Sequence, residues 1–167
     1  PGLVADRCAR TQAGMTRLGE LAELLQCAVV STQPKTAPPI TAGRMNFPNR
    51  HPLNQTLRSG AAISDADVVV GLEVANFFGT INTYRDQLER TSRAATKTGA
   101  KLITITAGEM NSKANYQDFQ RYPEVDFALA GDAEATLPSL IEEVKRQLTG
   151  DRRSAIEDRG KRLATAS

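Results

Sequence analysis

The sequence has no tryptophan, one histidine and two cysteines among its 167 residues, and 5% of its residues are aromatic. Cys8 and Cys27 are too few for a disulfide framework, and without a CxxC pair or nearby histidines they fit no zinc motif. We expect both to be buried thiols of an intracellular protein. His51 alone excludes a site of several imidazoles, and no serine or cysteine has the setting of a nucleophile elbow. We therefore expect His51 to be a hydrogen-bonded loop or interface residue.

Strong charge of one sign and long apolar runs are also absent. The net charge is +2, and the cations are interspersed with carboxylates, so no basic stripe for nucleic acid is present. No apolar run approaches the roughly 18 to 20 residues of a membrane helix, and no signal-like segment opens the sequence. We expect a cytoplasmic protein that binds neither nucleic acid nor membrane. Because a strand follows Pro1 almost at once, we also expect a piece of a longer chain.

Short apolar strands alternate with amphipathic helices along the sequence. This order predicts an open, mostly parallel, Rossmann-like sheet of five to six strands with helices on both faces. The expected strands are 2–5, 27–30, 67–72, 101–106 and 125–130, and the expected helices run from Thr11 to about Gln26, from about Thr80 to Thr98, and onward from an Asp132 cap.

Two segments depart from this alternation. Residues 31–60 contain five prolines, so they predict a long loop that is functional or docked on another part of the protein. Residues 150–167 are highly charged with few apolar side chains, and they predict a charged helical linker to a missing C-terminal domain. Residues 1–149 are then one α/β domain.

The loop after the first strand is one place where a sheet of this kind binds ligands. It reads Asp6-Arg7-Cys8-Ala9-Arg10-Thr11 and lacks the glycines that let a backbone approach a pyrophosphate. Ordinary NAD binding is therefore not expected. Arg7 and Arg10 could hold a phosphate or carboxylate as point contacts, or they could be exposed or paired with Asp6.

The strongest strand supplies the other candidate residues. Glu73 follows it, and this carboxylate could accept ribose hydroxyls or could be a charge at the end of a loop, at a domain interface. We retain Arg7, Gly71 and Glu73 as candidate nucleotide contacts. We assign no catalytic residue and no metal ligand.

Several segments, taken in order, resemble the central domain of thiamine-diphosphate-dependent enzymes such as acetolactate synthase and benzoylformate decarboxylase. Each segment alone occurs in many α/β proteins, so the resemblance depends on their order and spacing. The segments are GLVAD at 2–6, LGELAELL at 18–25, AVV at 28–30, RMNFPNRHP at 44–52, DADVVVGL at 65–72, GAKLITI at 99–105 and AGDA at 130–133.

This resemblance implies a scaffold, inactive alone, between a domain that binds the pyrimidine of thiamine diphosphate and one that holds its diphosphate through Mg²⁺. It implies a homodimeric or homotetrameric transferase or lyase that makes or breaks a carbon–carbon bond next to a carbonyl. Some members bind FAD or ADP in this domain, but the glycine-poor Asp6-Arg7-Cys8 departs from the flavin pattern, so FAD is not assigned. The alternative is a stand-alone nucleotide-binding (FAD, ADP or NAD) or regulatory module.

Overall fold

A computed structural model describes residues 1–31, 47–48, 50–86, 91–108 and 123–165. The elements alternate between strand and helix, with one antiparallel hairpin inserted. In chain order they are β1 (Gly2–Ala5), α1 (Gln12–Leu25), β2 (Ala28–Ser31), α2 (Ser59–Ser64), β3 (Val68–Leu72), α3 (Phe77–Ile81), β4 (Asn82–Asp86), β5 (Thr91–Ala94), β6 (Lys101–Thr106), β7 (Phe127–Ala130), α4 (Ala133–Gln147) and α5 (Gly150–Thr165).

Five strands form one parallel sheet in the order β2-β1-β3-β6-β7. Two apolar clusters cover its faces. Leu18 of α1 and Leu137 of α4 belong to one, and Ile63 of α2 and Phe77 of α3 belong to the other. The prediction of an open parallel sheet with helices on both faces is confirmed. The strand order reverses between β1 and β3, which makes this pair the topological switch point of the sheet.

Helix α1 begins and packs as its sequence predicts. The Thr11 hydroxyl accepts a hydrogen bond from Gly14 N at 3.0 Å and so caps the first turn. Met15, Leu18 and Ala22, spaced three and four residues apart, are all buried. This spacing places them on one face of the helix, which packs against the sheet and α4.

The prediction of a helix from Thr80 to Thr98 is wrong. Helix α3 ends at Ile81, and β4 and β5 then pair as an antiparallel hairpin, with residues 87–90 outside the described part. The chain becomes extended at Asn82 (φ −128°, ψ 153°), and the threonines and tyrosine that follow favour strands. Gly99 has a positive φ of 81°, but no helix ends there.

The proline-rich segment docks along β2 where it is described. Residues 32–46 and 49 lie outside the described residues, but Val29 N donates to Leu53 O at 2.8 Å and Gln55 N donates to Val29 O at 2.9 Å. Phe47 and Leu53 are buried in the main core. A 3₁₀ turn at Thr56–Arg58 then leads directly into α2, so regular structure begins slightly before the expected end of the loop.

Helix α5 contacts the domain body. Arg159 donates to the carbonyls of Gln26 (3.0 Å) and Leu25 at the end of α1, and Gly160 is buried against the Gln26 side chain. With 16 residues α5 is the longest described helix. None of the helices in the described ranges is both long enough and apolar enough to cross a membrane. The limits of the domain and the role of α5 as a linker stay predictions.

Candidate functional site

The carboxyl ends of the central strands bring several charged side chains together at the switch point. Asp6 follows β1, Glu73 follows β3, and Asp132 and Glu134 stand at the start of α4. Arg10 approaches the last two carboxylates from the loop before α1. Ligands of doubly wound sheets bind in the crevice at this edge, so these residues define the candidate site.

Glu73 connects three elements through its carboxylate. It accepts hydrogen bonds from Thr106 Oγ1 (3.0 Å) at the end of β6, from Ala107 N (3.2 Å), and from Ala133 N (3.0 Å) at the start of α4. Its backbone is in the left-handed region, with φ of 51°, which is uncommon for a residue with a side chain. The network of three donors holds the carboxylate within the protein.

Glu134 reaches from the first turn of α4 to the start of α1. Its carboxylate accepts hydrogen bonds from Arg10 N (2.5 Å) and from Thr11 Oγ1 (2.6 Å). Gly14 has no side chain, and a Cβ at that residue would stand only 2.6 Å from Glu134 Oε2. Burial alone would raise the pKa of Glu134, but the hydrogen bonds from Thr11 and Arg10 outweigh it and leave the pKa below its ordinary value.

Arg10 forms an ion pair with Asp132, rather than with Asp6. Asp132 also accepts a hydrogen bond from Ala135 N at 3.1 Å, so the prediction that it caps α4 is confirmed. The hydrogen bond from Arg10, together with the cap, lowers the pKa of Asp132 below its usual range. The two residues bind the α1 loop to α4 from the solvent side, since both side chains are over a third exposed.

These contacts occupy the position where a dinucleotide fold holds a phosphate. In such folds the amides at the start of the first helix bind the pyrophosphate. Here the Glu134 carboxylate accepts hydrogen bonds from the backbone N–H of Arg10 and from the hydroxyl of Thr11. A phosphate could reach these donors only by displacing a carboxylate that belongs to the chain itself.

The three candidate nucleotide contacts have different settings. The Arg7 side chain is exposed, and its backbone N donates to Glu73 O at 3.4 Å, so these two residues are neighbours. Gly71 lies apart from them in the interior of β3, where a Cβ would stand 2.8 Å from the Phe77 ring. The structure therefore gives Gly71 a packing role. The sequence reasoning missed Glu134, whose only local signal is an acidic residue in the first turn of a helix.

Both cysteines are buried, as expected. Burial, with smaller contributions from the carboxylates of Glu134, Glu73 and Asp132, raises the pKa of Cys8 to about 12. Burial likewise raises the pKa of Cys27 to about 12. Both thiols are therefore protonated at neutral pH, and neither has the low pKa of a nucleophilic cysteine.

His51 lies at the other end of α1, outside the candidate site. Its Nε2 is 3.1 Å from Glu23 Oε1, its Nδ1 accepts a hydrogen bond from Leu53 N at 3.2 Å, and its ring packs at 4.7 Å from that of Phe47. With Nδ1 as an acceptor, the neutral ring carries its proton on Nε2 and donates to Glu23. The prediction of a hydrogen-bonded loop histidine is confirmed.

The fold and this site define an open, doubly wound α/β domain whose switch point is closed by its own side chains. In the part of the chain that the structure describes, no three histidine, cysteine or acidic residues are grouped to hold a metal ion. A scan against protein-family models found no match to the chain, and a search of curated proteins found none either.

Proposed function

We propose that this chain is the central scaffold domain of a thiamine-diphosphate-dependent enzyme and is not catalytic alone. The enzyme is an acetolactate synthase-like carboligase or a 2-oxoacid decarboxylase. One observation carries the non-catalytic role: the anion position at the switch point is filled by Glu134. A domain that bound a nucleotide there in the usual way would leave those donors open to a phosphate.

The position of the resembling segments supports the family assignment. Residues 2–6 and 65–72 include β1 and β3 at the centre of the sheet, and residues 99–105 include most of β6. Residues 130–133 form the turn from β7 into α4, where Asp132 and Ala133 meet Arg10 and Glu73. The ordered resemblance therefore coincides with the elements that build the sheet and close its switch point.

The cofactors of this proposal belong to the flanking domains. Thiamine diphosphate supplies an electron sink for bond changes next to a carbonyl, and Mg²⁺ holds its diphosphate group. The described residues do not fit either group: the acidic side chains Glu73, Asp132 and Glu134 are bound by internal donors, and no metal-ligating group is present among them. A cytoplasmic homodimer or homotetramer, with active sites built by the flanking domains, completes the proposal.

The test compares the full-length gene product with the 167-residue chain by isothermal titration with thiamine diphosphate and Mg²⁺. We expect saturable binding to the full-length product and none to the isolated chain. Micromolar binding to the isolated chain would overturn the scaffold role, and a reading frame without flanking domains would overturn the family assignment. Stoichiometric NAD, FAD or ADP on the purified chain would instead establish the stand-alone nucleotide module.

A further inference from the structure

A second concave site lies at the amino ends of the strands, where β1 and β2 begin, on the side of the sheet opposite to the candidate site. It is a pocket of about 390 Å³ between α2 and α5, bordered by Ala28 at the start of β2 and Asp67 just before β3. This volume is within the range of about 300 to 1,000 Å³ that is usual for small-molecule sites. Its apolar wall consists of Pro1, Ala28, Ala61, Ala62, Ala66 and Leu163.

Three arginines converge on this pocket from two elements. Arg58 stands at the start of α2, and Arg159 and Arg162 come from the same side of α5 because they are three residues apart. Asp65 and Asp67 also line the pocket, but Asp67 is already paired with Lys97. Asp65 is therefore the one lining carboxylate without a lysine partner among the described residues, and it faces the two guanidinium groups of Arg159 and Arg162.

The two pocket-lining arginines of α5 differ in how firmly their side chains are held. Arg159 is held by the carbonyls of Leu25 and Gln26, which fixes its guanidinium against the domain body. Burial lowers the pKa of Arg159, Cys27 partly offsets this effect, and the charge of Arg162 lowers the pKa further. Arg162 is exposed and forms no ion pair or hydrogen bond with any described residue. Its five donors are open to a ligand.

We propose that this pocket binds a phosphate group, either as free phosphate or as the monoester of a small organic molecule. Guanidinium groups match phosphate oxygens in a bidentate geometry, and a fixed Arg159 beside a free Arg162 presents two of them. The alanine wall would contact the organic part of a monoester. A bound phosphate would bridge α2 and α5 and so fasten α5 to the domain, a role separate from the scaffold function proposed above.

The test is isothermal titration of the purified protein with inorganic phosphate, and in parallel with AMP, at constant ionic strength. We expect one site with a Kd below about 1 mM. The Arg162→Ala variant should weaken binding about tenfold, because a charge-assisted hydrogen bond is lost. Arg162→Lys should recover part of this loss. If AMP binds more tightly than phosphate, the alanine wall contacts the organic part of a monoester. If the two bind equally, the ligand is free phosphate.

The matched control is Arg152→Ala, which removes the same charge from α5 but does not line the pocket. We expect it to leave the Kd within about twofold, since a general charge effect is screened. Hydrogen exchange of α5 should slow on adding phosphate to the wild-type protein and stay unchanged for Arg162→Ala. The proposal is overturned if neither probe saturates, or if the Arg152 and Arg162 variants lose affinity equally.

Discussion

The hydroxyl of Thr11 donates a hydrogen bond to the Glu134 carboxylate at 2.6 Å, across 123 positions of sequence. The same hydroxyl accepts from Gly14 N, so one side chain joins the first turn of α1 to the first turn of α4. The carboxylate also lies at the positive end of the α1 dipole, where a negative charge is stabilised. Glu134 thus binds two helices together and occupies the anion position of the fold.

Glu134→Gln should reduce the free energy of unfolding by about 1 to 2 kcal/mol, because the charge-assisted bonds from Arg10 and Thr11 are weakened. Urea denaturation at pH 7 measures the change. Glu142→Gln is the control, since Glu142 lies on the same helix but is exposed, and among the described residues it pairs with Lys145 at 3.1 Å. Its effect should be below about 0.5 kcal/mol. Equal losses in the two variants would show that the Glu134 contacts add nothing specific.

The stabilisation from Glu134 should also depend on pH. Hydrogen bonds to its carboxylate hold the folded pKa below the ordinary value of 4.5, despite the opposing effect of burial. The unfolded state therefore binds the proton more tightly, and the contribution of Glu134 is fully present above about pH 4.5. It is lost as the pH falls through the folded pKa. The stability difference between wild type and Glu134→Gln should shrink below that pH, and a difference that grew on acidification would contradict the assignment.

Glu73 should be a structural residue of the switch point. Glu73→Gln keeps the size of the side chain but removes the charge that Thr106, Ala107 and Ala133 donate to, so we expect a loss of about 1 to 3 kcal/mol in unfolding free energy. Glu73→Gly should also be less stable than wild type, although it relieves the positive φ by about 1 kcal/mol. If Glu73 were only a charge at a loop end, the Gln variant would match the exposed control Glu157→Gln.

The sequence predicts those parts of the fold that depend on local pattern. The Val68–Leu72 run is apolar throughout and forms the central strand β3 as expected. The prediction of a helix from Thr80 is wrong. The segment has the spacing of an amphipathic helix, but its residues favour strands, and β4 pairs with β5 instead. The contact of Glu134 with Thr11 joins residues that are 123 positions apart, so only the folded sheet brings them together. In the sequence, Glu134 looks like any acidic residue in the first turn of a helix, so the helix-cap pattern does not reveal its contact with Thr11.

Gly71→Ala tests the packing role of that glycine. A Cβ there would stand 2.8 Å from Phe77 Cε2, closer than carbon atoms pack, so we expect a loss of about 1 to 3 kcal/mol. Phe77→Leu should remove the clash, so the double variant should be more stable than the sum of the single losses predicts. Gly60→Ala is the control: nothing lies within 4 Å of its Cβ position in α2, and the change should be neutral or stabilising. If the stability losses of the two single variants simply add in the double variant, a clash with Phe77 is not the cause of the Gly71→Ala loss.

The buried thiols give the last prediction. Burial raises the pKa of both Cys8 and Cys27 to about 12, so neither should react with DTNB in the native protein at pH 8, and both should react in urea. Since the unfolded thiols ionise near pH 9, stability should fall as the pH rises from about 9 to about 12. Cys8→Ala should weaken this fall because one of the two groups is removed. Rapid labelling of a single native thiol at pH 8 would show that its site opens to solvent.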